Sequence, residues 1–103
     1  MVKKMTYLLG TVAVEDVEEW KSEFAENDSF RTEHGQRGYQ VFQSVDHPNE
    51  ITVLFEWGDE EDPRAFFNSE EMRERLGDAG VKGQPELSAL QMIDQKSTTE
   101  PTA

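Results

Sequence analysis

Three stretches of the chain alternate in the manner of β-strands, and each keeps apolar side chains on both faces. They are Met5–Val14, Gly38–Val45 and Ile51–Trp57, and a fourth strand is predicted at roughly Glu86–Ile93. Successive side chains in a strand point to opposite faces, so a sheet face that is open to water is expected to be polar. Large apolar residues on both sides therefore predict a sheet that is covered on both faces.

A helical segment is predicted after the first strand. Asp16 is a suitable N-cap, and the acids that follow it suit the positive end of the helix dipole. Val17, Trp20 and Phe24 recur at i, i+3 and i+7, which is typical of one apolar helix face. The segment is predicted to end between Asn27 and Gly35.

A second helical segment is predicted after the third strand. It begins at Asp62-Pro63, where an N-cap acid precedes a proline at the first helical position. Ser69 is predicted to cap the chain again. An apolar stripe continues through Met72, Leu76 and Ala79, and Gly77 and Gly80 are suitable helix ends.

The predicted order of elements is β-α-β-β-α-β, with Asp46–Glu50 (DHPNE) as the turn of an antiparallel hairpin. This is the α+β, ferredoxin-like arrangement, a four-stranded antiparallel sheet with both helices on one face. Because two helices cover only one face, the other is predicted to be buried against a second copy in a homodimer. One domain is expected over residues 1–94, and residues 95–103 are expected to form a polar, disordered tail.

The charge balance narrows the classes of partner. Twenty-two acids against ten bases give a net charge of −12, which disfavours nucleic acid and anionic membranes. The acids are spread along the chain, a pattern that suggests a halophilic protein; an ordinary acidic cytosolic protein is the alternative. There is no cysteine, no secretion signal and no apolar run of the ~20 residues that a membrane span needs. A soluble, cytoplasmic protein is therefore expected.

Three segments carry a resemblance to a known family. They are VEDVEEWKSEF, RTEHGQRGYQVFQSVDHPNEITVLFEW and DPRAFFNSEEMRERLGDAGVKGQPEL. The chain resembles the dimeric α/β-barrel superfamily, and within it the small antibiotic-biosynthesis-monooxygenase-like and cyclase-like proteins. The resemblance implies two sheets packed face to face in a homodimer. It also implies a cavity between sheet and helices that binds an aromatic or polyketide-like ligand. It supplies no common catalytic motif.

His34 is the candidate catalytic residue. It lies near the predicted end of the first helical segment, before the second strand, where the cavity of such proteins often has its mouth. A histidine there is suited to act as a general base or to bind a ligand oxygen. The alternative is a cation that the helix C-terminus favours. His47, in the DHPNE turn, is expected to be solvated.

The predicted ligand pocket draws on the aromatic and sulfur-bearing residues of the two helical segments and on two residues near the second strand. Its members are Trp20, Phe24, Arg31, Tyr39, Phe66, Phe67 and Met72. Apolar walls with few polar groups suit an aromatic ligand. Ordinary core packing is the alternative for the helical members.

The sequence gives little support for a bound metal or cofactor. The two histidines have no HxH or HxxxH spacing, there is no cysteine, and the pattern that would hold haem or a nucleotide phosphate is missing. No metal and no cofactor are expected. Cofactor-independent oxidation or cyclisation of a small aromatic substrate is the leading expectation. A non-catalytic ligand-binding or stress-associated dimer is the rival, and a structural dimer with a filled core is a third; the sequence leaves open whether the protein is an enzyme.

Overall fold

A four-stranded antiparallel sheet is the centre of the fold. The computed structural model describes residues 5–58 and 62–96. Its strands are β1 (Met5–Val14), β2 (Gln36–Gln43), β3 (Glu50–Gly58) and β4 (Val81–Leu90), in the spatial order β2-β3-β1-β4. The predicted ferredoxin-like α+β arrangement is confirmed, since β1 is central and pairs with both β3 and β4.

Each of the two predicted helical segments is divided into two helices. The first comprises α1 (Val17–Glu26) and α2 (Asp28–Glu33); the second comprises α3 (Pro63–Phe67) and α4 (Glu70–Asp78). None of the described helices is long and apolar enough to cross a membrane.

The predicted helix caps are confirmed. The carboxylate of Asp16 accepts a hydrogen bond from the Glu19 backbone N–H at 3.1 Å. The Asp62 carboxylate accepts one from the backbone N–H of Arg64 at 2.9 Å, and the Ser69 hydroxyl accepts one from that of Met72 at 3.3 Å. Each cap satisfies an N–H that has no partner within its own helix.

The predicted limits of two strands are wrong. β2 begins and ends two residues earlier than expected, and β4 covers Val81–Leu90 instead of Glu86–Ile93. In β4 the register moves from Thr11 opposite Glu86 to Ala13 opposite Lys82, which leaves residues 83–85 as a bulge. Pro85 lacks an N–H, and an edge strand tolerates it at a bulge. Gly83 and Pro85 therefore lie in this bulge.

The helices cover one face of the sheet. Leu8, Val53, Phe55 and Trp57 point to that face and are buried. They form one cluster with side chains from the helices, among them Trp20, Phe66, Phe67 and Met72. The predicted apolar helix stripes therefore provide the inner layer of the core.

The other face of the sheet also carries large apolar side chains, as the strand pattern predicted. Leu9 of β1 lies directly opposite Leu54 of β3 on this face, and both are only half-buried. Phe42 in β2 and Leu90 in β4 share the face and are 52% and 42% exposed. We call this surface the open sheet face.

Carboxylates crowd a groove between α1 and α4. The groove has a volume of about 340 Å³. Its acidic walls are Glu23, Glu26, Glu71, Glu74 and Asp78, with Asn27 and Arg75 beside them. Like charges that line one groove repel one another, and this repulsion destabilises the folded chain at low ionic strength.

We expect the melting temperature to rise with potassium chloride, by about 5 °C or more between about 0.1 and 3 M. Salt screens the repulsion among the carboxylates, because the Debye length falls from ~10 Å at 0.1 M to ~3 Å at 1 M. Calorimetric scans across the salt series measure the effect, and sucrose at matched osmolality controls for general exclusion from the surface. A flat salt profile would remove the inference of halophilic adaptation.

Candidate functional site

An apolar cavity lies between the sheet and the helices, and we call it the inner cavity. Its volume is about 50 Å³. Its walls come from β1, α1, β3, α3, α4 and the β4 bulge: Gly10, Val12, Trp20, Phe24, Val53, Phe55, Phe67, Met72, Leu76, Pro85 and Leu87. Gly10 provides space, since a Cβ atom there would lie 3.3 Å from Leu87 Cδ2.

A second pocket adjoins the inner cavity at the β4 bulge, and we call it the outer pocket. Its volume is about 220 Å³. It shares Phe67, Leu76, Pro85 and Leu87 with the inner cavity. Its other walls are Asn68, Arg73, Gly77, Val81, Gly83 and Gln84. The two spaces together pass from an apolar interior to a polar mouth.

A third space, the edge cleft, opens between α1 and the edge strand β2. Its volume is about 550 Å³, and Trp20, Phe24, Tyr39, Val41 and Ile51 provide its apolar walls. Glu18, Lys21 and Gln43 are its charged and amide-bearing residues. The edge cleft is wider and more polar than the inner cavity.

Trp20 and Phe24 divide the inner cavity from the edge cleft. Their rings are stacked with centroids 4.7 Å apart, and they line both spaces. Tyr39 meets Phe24 edge-on at 4.9 Å from the side of the edge cleft. Four predicted pocket residues, Trp20, Phe24, Phe67 and Met72, thus line the inner cavity, and Tyr39 lines its neighbour.

Arg31 is buried behind this aromatic wall, with only 1% of its surface exposed. Its Cζ atom lies 3.8 Å from the centre of the Phe24 ring, and its Nη1 donates to the Phe24 carbonyl at 3.0 Å. Nε donates to Gln36 Oε1 at 2.7 Å, and Asp28 is its ion-pair partner at 3.5 Å. Arg31 lines none of the three spaces; it positions Phe24.

Burial lowers the pKa of Arg31 to about 10, although the nearby Asp28 and Tyr39 act in the opposite direction. The guanidinium therefore keeps its charge at neutral pH.

Phe66 and His34 lie together at another place in the core. The His34 ring is 4.9 Å from that of Phe66 and 5.0 Å from that of Phe30. Its backbone carbonyl accepts a hydrogen bond from Trp57 Nε1 at 3.0 Å, and the residue ends α2. Neither His34 nor Phe66 is among the residues that line the three spaces. The catalytic role of His34 stays a prediction.

Sequence reasoning missed the polar mouth. Asn68, Arg73 and Gln84 come from the α3–α4 connection, α4 and the β4 bulge. Leu76 was found only as part of an apolar helix stripe. The signal that was available is the glycine and proline of residues 83–85, which mark a bulge that widens the space beside α4.

A family model for antibiotic biosynthesis monooxygenases matches residues 6–75. The chain belongs to this family. The match includes all of the sheet except β4 and extends into α4. A search of curated proteins returned no significant match.

Solved structures share the fold at low sequence identity. A Bordetella bronchiseptica protein that carries the same family description is 16% identical, with a TM-score of 0.68, over 88% of this chain and 99% of that one. A conserved protein from Methanosarcina mazei Go1 is 18% identical, with a TM-score of 0.66, over 88% and 95%. SnoaB, a cofactor-independent oxygenase from Streptomyces nogalater, is 15% identical, with a TM-score of 0.60, over 96% and 100%.

Proposed function

We propose that the protein oxidises a small aromatic substrate with molecular oxygen, without a cofactor, in the space formed by the inner cavity and the outer pocket. The observation that carries the proposal is an aromatic and aliphatic wall with a polar mouth, in a chain of the monooxygenase family. Ligand sites combine apolar walls with a few polar groups that fix orientation. Cyclisation of a similar substrate in the same space is the alternative reaction.

The proposed chemistry balances without an external reductant. An activated CH₂ group of an electron-rich hydroxyarene gives up two hydrogen atoms and gains one oxygen atom as a ketone, and the second oxygen atom of O₂ leaves as water. The protein's contribution is to hold the arene, exclude water and stabilise charge that develops on its oxygens. The described likeness to SnoaB, a cofactor-independent oxygenase, supports this reaction type.

Filling the cavity is expected to reduce turnover. Leu76 is half-buried and lines both the inner cavity and the outer pocket. Leu76→Trp should therefore lower kcat/KM for a responsive hydroxyarene by about tenfold or more, a barrier increase of roughly 1.4 kcal/mol. Oxygen uptake and the mass of the product measure the rate.

Glu70→Trp on the exposed side of the same helix is the matched control, and circular dichroism confirms that both variants fold. Equal turnover in Leu76→Trp and the control would show that this space is not where the substrate reacts.

A non-catalytic ligand-binding or stress-associated dimer is the second candidate. The described residues that line the inner cavity and the outer pocket include no histidine and no carboxylate. General acid–base chemistry usually relies on such groups, whereas a site that only binds its ligand does not need them. Tight binding of hydroxyarenes with no oxygen uptake would support this candidate over the oxygenase.

We propose that the protein is a homodimer joined through the open sheet face. Leu9 and Leu54 form an apolar centre there, with Phe42 and Leu90 on the flanking strands. Exposed apolar side chains that share one face of a small domain favour association, and a stable interface buries ~800 Å² on each partner.

Leu54→Lys is expected to weaken dimerisation by at least about tenfold, because each interface would bury two unpaired ammonium groups. Sedimentation velocity in molar salt measures the change. Val45→Lys is the control, because Val45 is 94% exposed outside the sheet. A wild-type protein that sediments as a monomer at micromolar concentration would contradict the proposed assembly.

A further inference from the structure

Arg73 is the basic residue of the outer pocket, and it is not neutralised by any described acid. Four other described bases have carboxylate partners: Lys21 with Glu18, Arg31 with Asp28, Arg64 with Asp62 and Arg75 with Glu71. Arg73 makes no ion pair with a residue in the described part of the chain. Three further bases in the described part of the chain, Arg37, Lys82 and Lys96, also make no ion pair there, but of these bases Arg73 is the one that lines the outer pocket.

The remaining polar walls of the outer pocket are neutral. Asn68 and Gln84 provide side-chain amides, and no carboxylate is among the described lining residues. By contrast, the groove between α1 and α4 is acidic, since Glu71, Glu74 and Asp78 line it. Three acids of α4 thus line the groove, while the described lining of the outer pocket has Arg73 and amide donors.

The floor of the outer pocket is apolar. Phe67, Leu76, Pro85 and Leu87 form the wall that it shares with the inner cavity. Its volume of about 220 Å³ exceeds the ~150 Å³ of an engineered apolar cavity that binds benzene. The space therefore suits one aromatic ring with a short substituent rather than a fused polycyclic molecule.

We infer that the outer pocket binds small monocyclic aromatic acids, with the ring on the apolar wall and the carboxylate at Arg73. The planar guanidinium donates two parallel hydrogen bonds to a carboxylate, and the amides of Asn68 and Gln84 supply further donors. This inference rests on the proposed function, because it names the ligand class of the same space.

Binding of phenylacetate and of its neutral isostere phenylacetamide tests the inference by calorimetry or NMR titration in low salt. Phenylacetate is expected to bind the wild-type protein at least about fivefold more tightly than the amide. Arg73→Gln should remove this preference, weakening phenylacetate by about five- to tenfold while leaving phenylacetamide within about twofold. Added potassium chloride should weaken only the acid.

Lys82→Gln is the matched control. Lys82 is an exposed base on β4 that does not line the pocket, so the substitution removes the same charge from the same region. Equal affinity of acid and amide for the wild-type protein, failure of both probes to bind, or equal losses in Arg73→Gln and Lys82→Gln would each overturn the inference.

The experiments distinguish failure of the proposed oxygenase activity from failure of the proposed aromatic-acid site. Arginine-dependent binding of phenylacetate without oxygen uptake on any aromatic acid supports the acid site and removes the oxygenase. Turnover of neutral hydroxyarenes that is blocked by Leu76→Trp, together with equal affinity of phenylacetate and phenylacetamide for the wild-type protein, supports the oxygenase and removes the acid site.

Discussion

Replacing Gly35 by alanine is expected to destabilise the protein by about 3 kcal/mol or more. Gly35 has a φ of +124°, where side chains are strained, and an added Cβ would lie 2.6 Å from Trp57 Nε1 and 2.9 Å from its Cδ1. Trp57 has no exposed surface and is held by its hydrogen bond to the His34 carbonyl, so it has little room to move. Urea denaturation measures the loss.

Gly77→Ala is the matched control for Gly35→Ala. Gly77 lies in α4, has helical backbone angles, and an added Cβ there would have no neighbour within 4 Å. The same substitution should therefore leave stability unchanged or raise it by up to about 1 kcal/mol, because alanine favours the helix and restricts the unfolded chain. Similar stabilities for the two variants would show that Trp57 adapts easily.

The importance of Gly35 illustrates what the sequence predicts and what it leaves out. Alternation of apolar residues predicts the strands and their two apolar faces, because the period of two is a local property of the backbone. The close approach of Gly35 to Trp57 joins residues 22 positions apart. It forms where the Gly35 carbonyl accepts a hydrogen bond from the backbone N–H of Gly58, the last residue of β3. No local pattern encodes that contact.

In the candidate site, too, local patterns predict some residues, and contacts between distant parts of the chain determine the others. Trp20 and Phe24 were predicted as pocket residues from helical spacing, and they do form a wall of the inner cavity. Arg31 was assigned to that pocket as well, but it lies behind the wall, since its contacts with Gln36 and Asp28 depend on how α2 turns into β2. The outer pocket depends on the β4 bulge, a departure from regular pairing that strand periodicity does not reveal.

Arg31 contributes both to the stability of the fold and to the cavity wall, because its contacts connect the end of α1, α2 and the start of β2. It is as buried as the aliphatic core, yet its hydrogen bonds to Phe24 and Gln36 satisfy two acceptors in the interior. Burial lowers its pKa to about 10, which means that the folded state disfavours the cation relative to the unfolded chain. That cost is fully present below about pH 10 and is relieved as the pH rises further, towards the higher pKa of the unfolded chain.

Arg31→Ala is expected to lower the free energy of unfolding by about 3 kcal/mol. The variant leaves a cavity beneath the Phe24 ring and removes the donors to the Phe24 carbonyl and Gln36. The free energy lost in this way exceeds the free energy gained because a charge is no longer buried. Arg31→Met is the matched control, because it keeps an unbranched apolar chain under Phe24 and should cost about half as much.

The loss in Arg31→Ala should be constant between about pH 6 and pH 9, because Arg31 keeps its proton in both folded and unfolded states over that range. Urea denaturation at several pH values measures both the loss of stability and its dependence on pH. A loss below about 1 kcal/mol, or equal losses in the alanine and methionine variants, would mean that the guanidinium contacts and the packing of its stem do not position Phe24. Phe24 would then hold its place in the cavity wall through its ring contacts with Trp20, Tyr39 and Phe55.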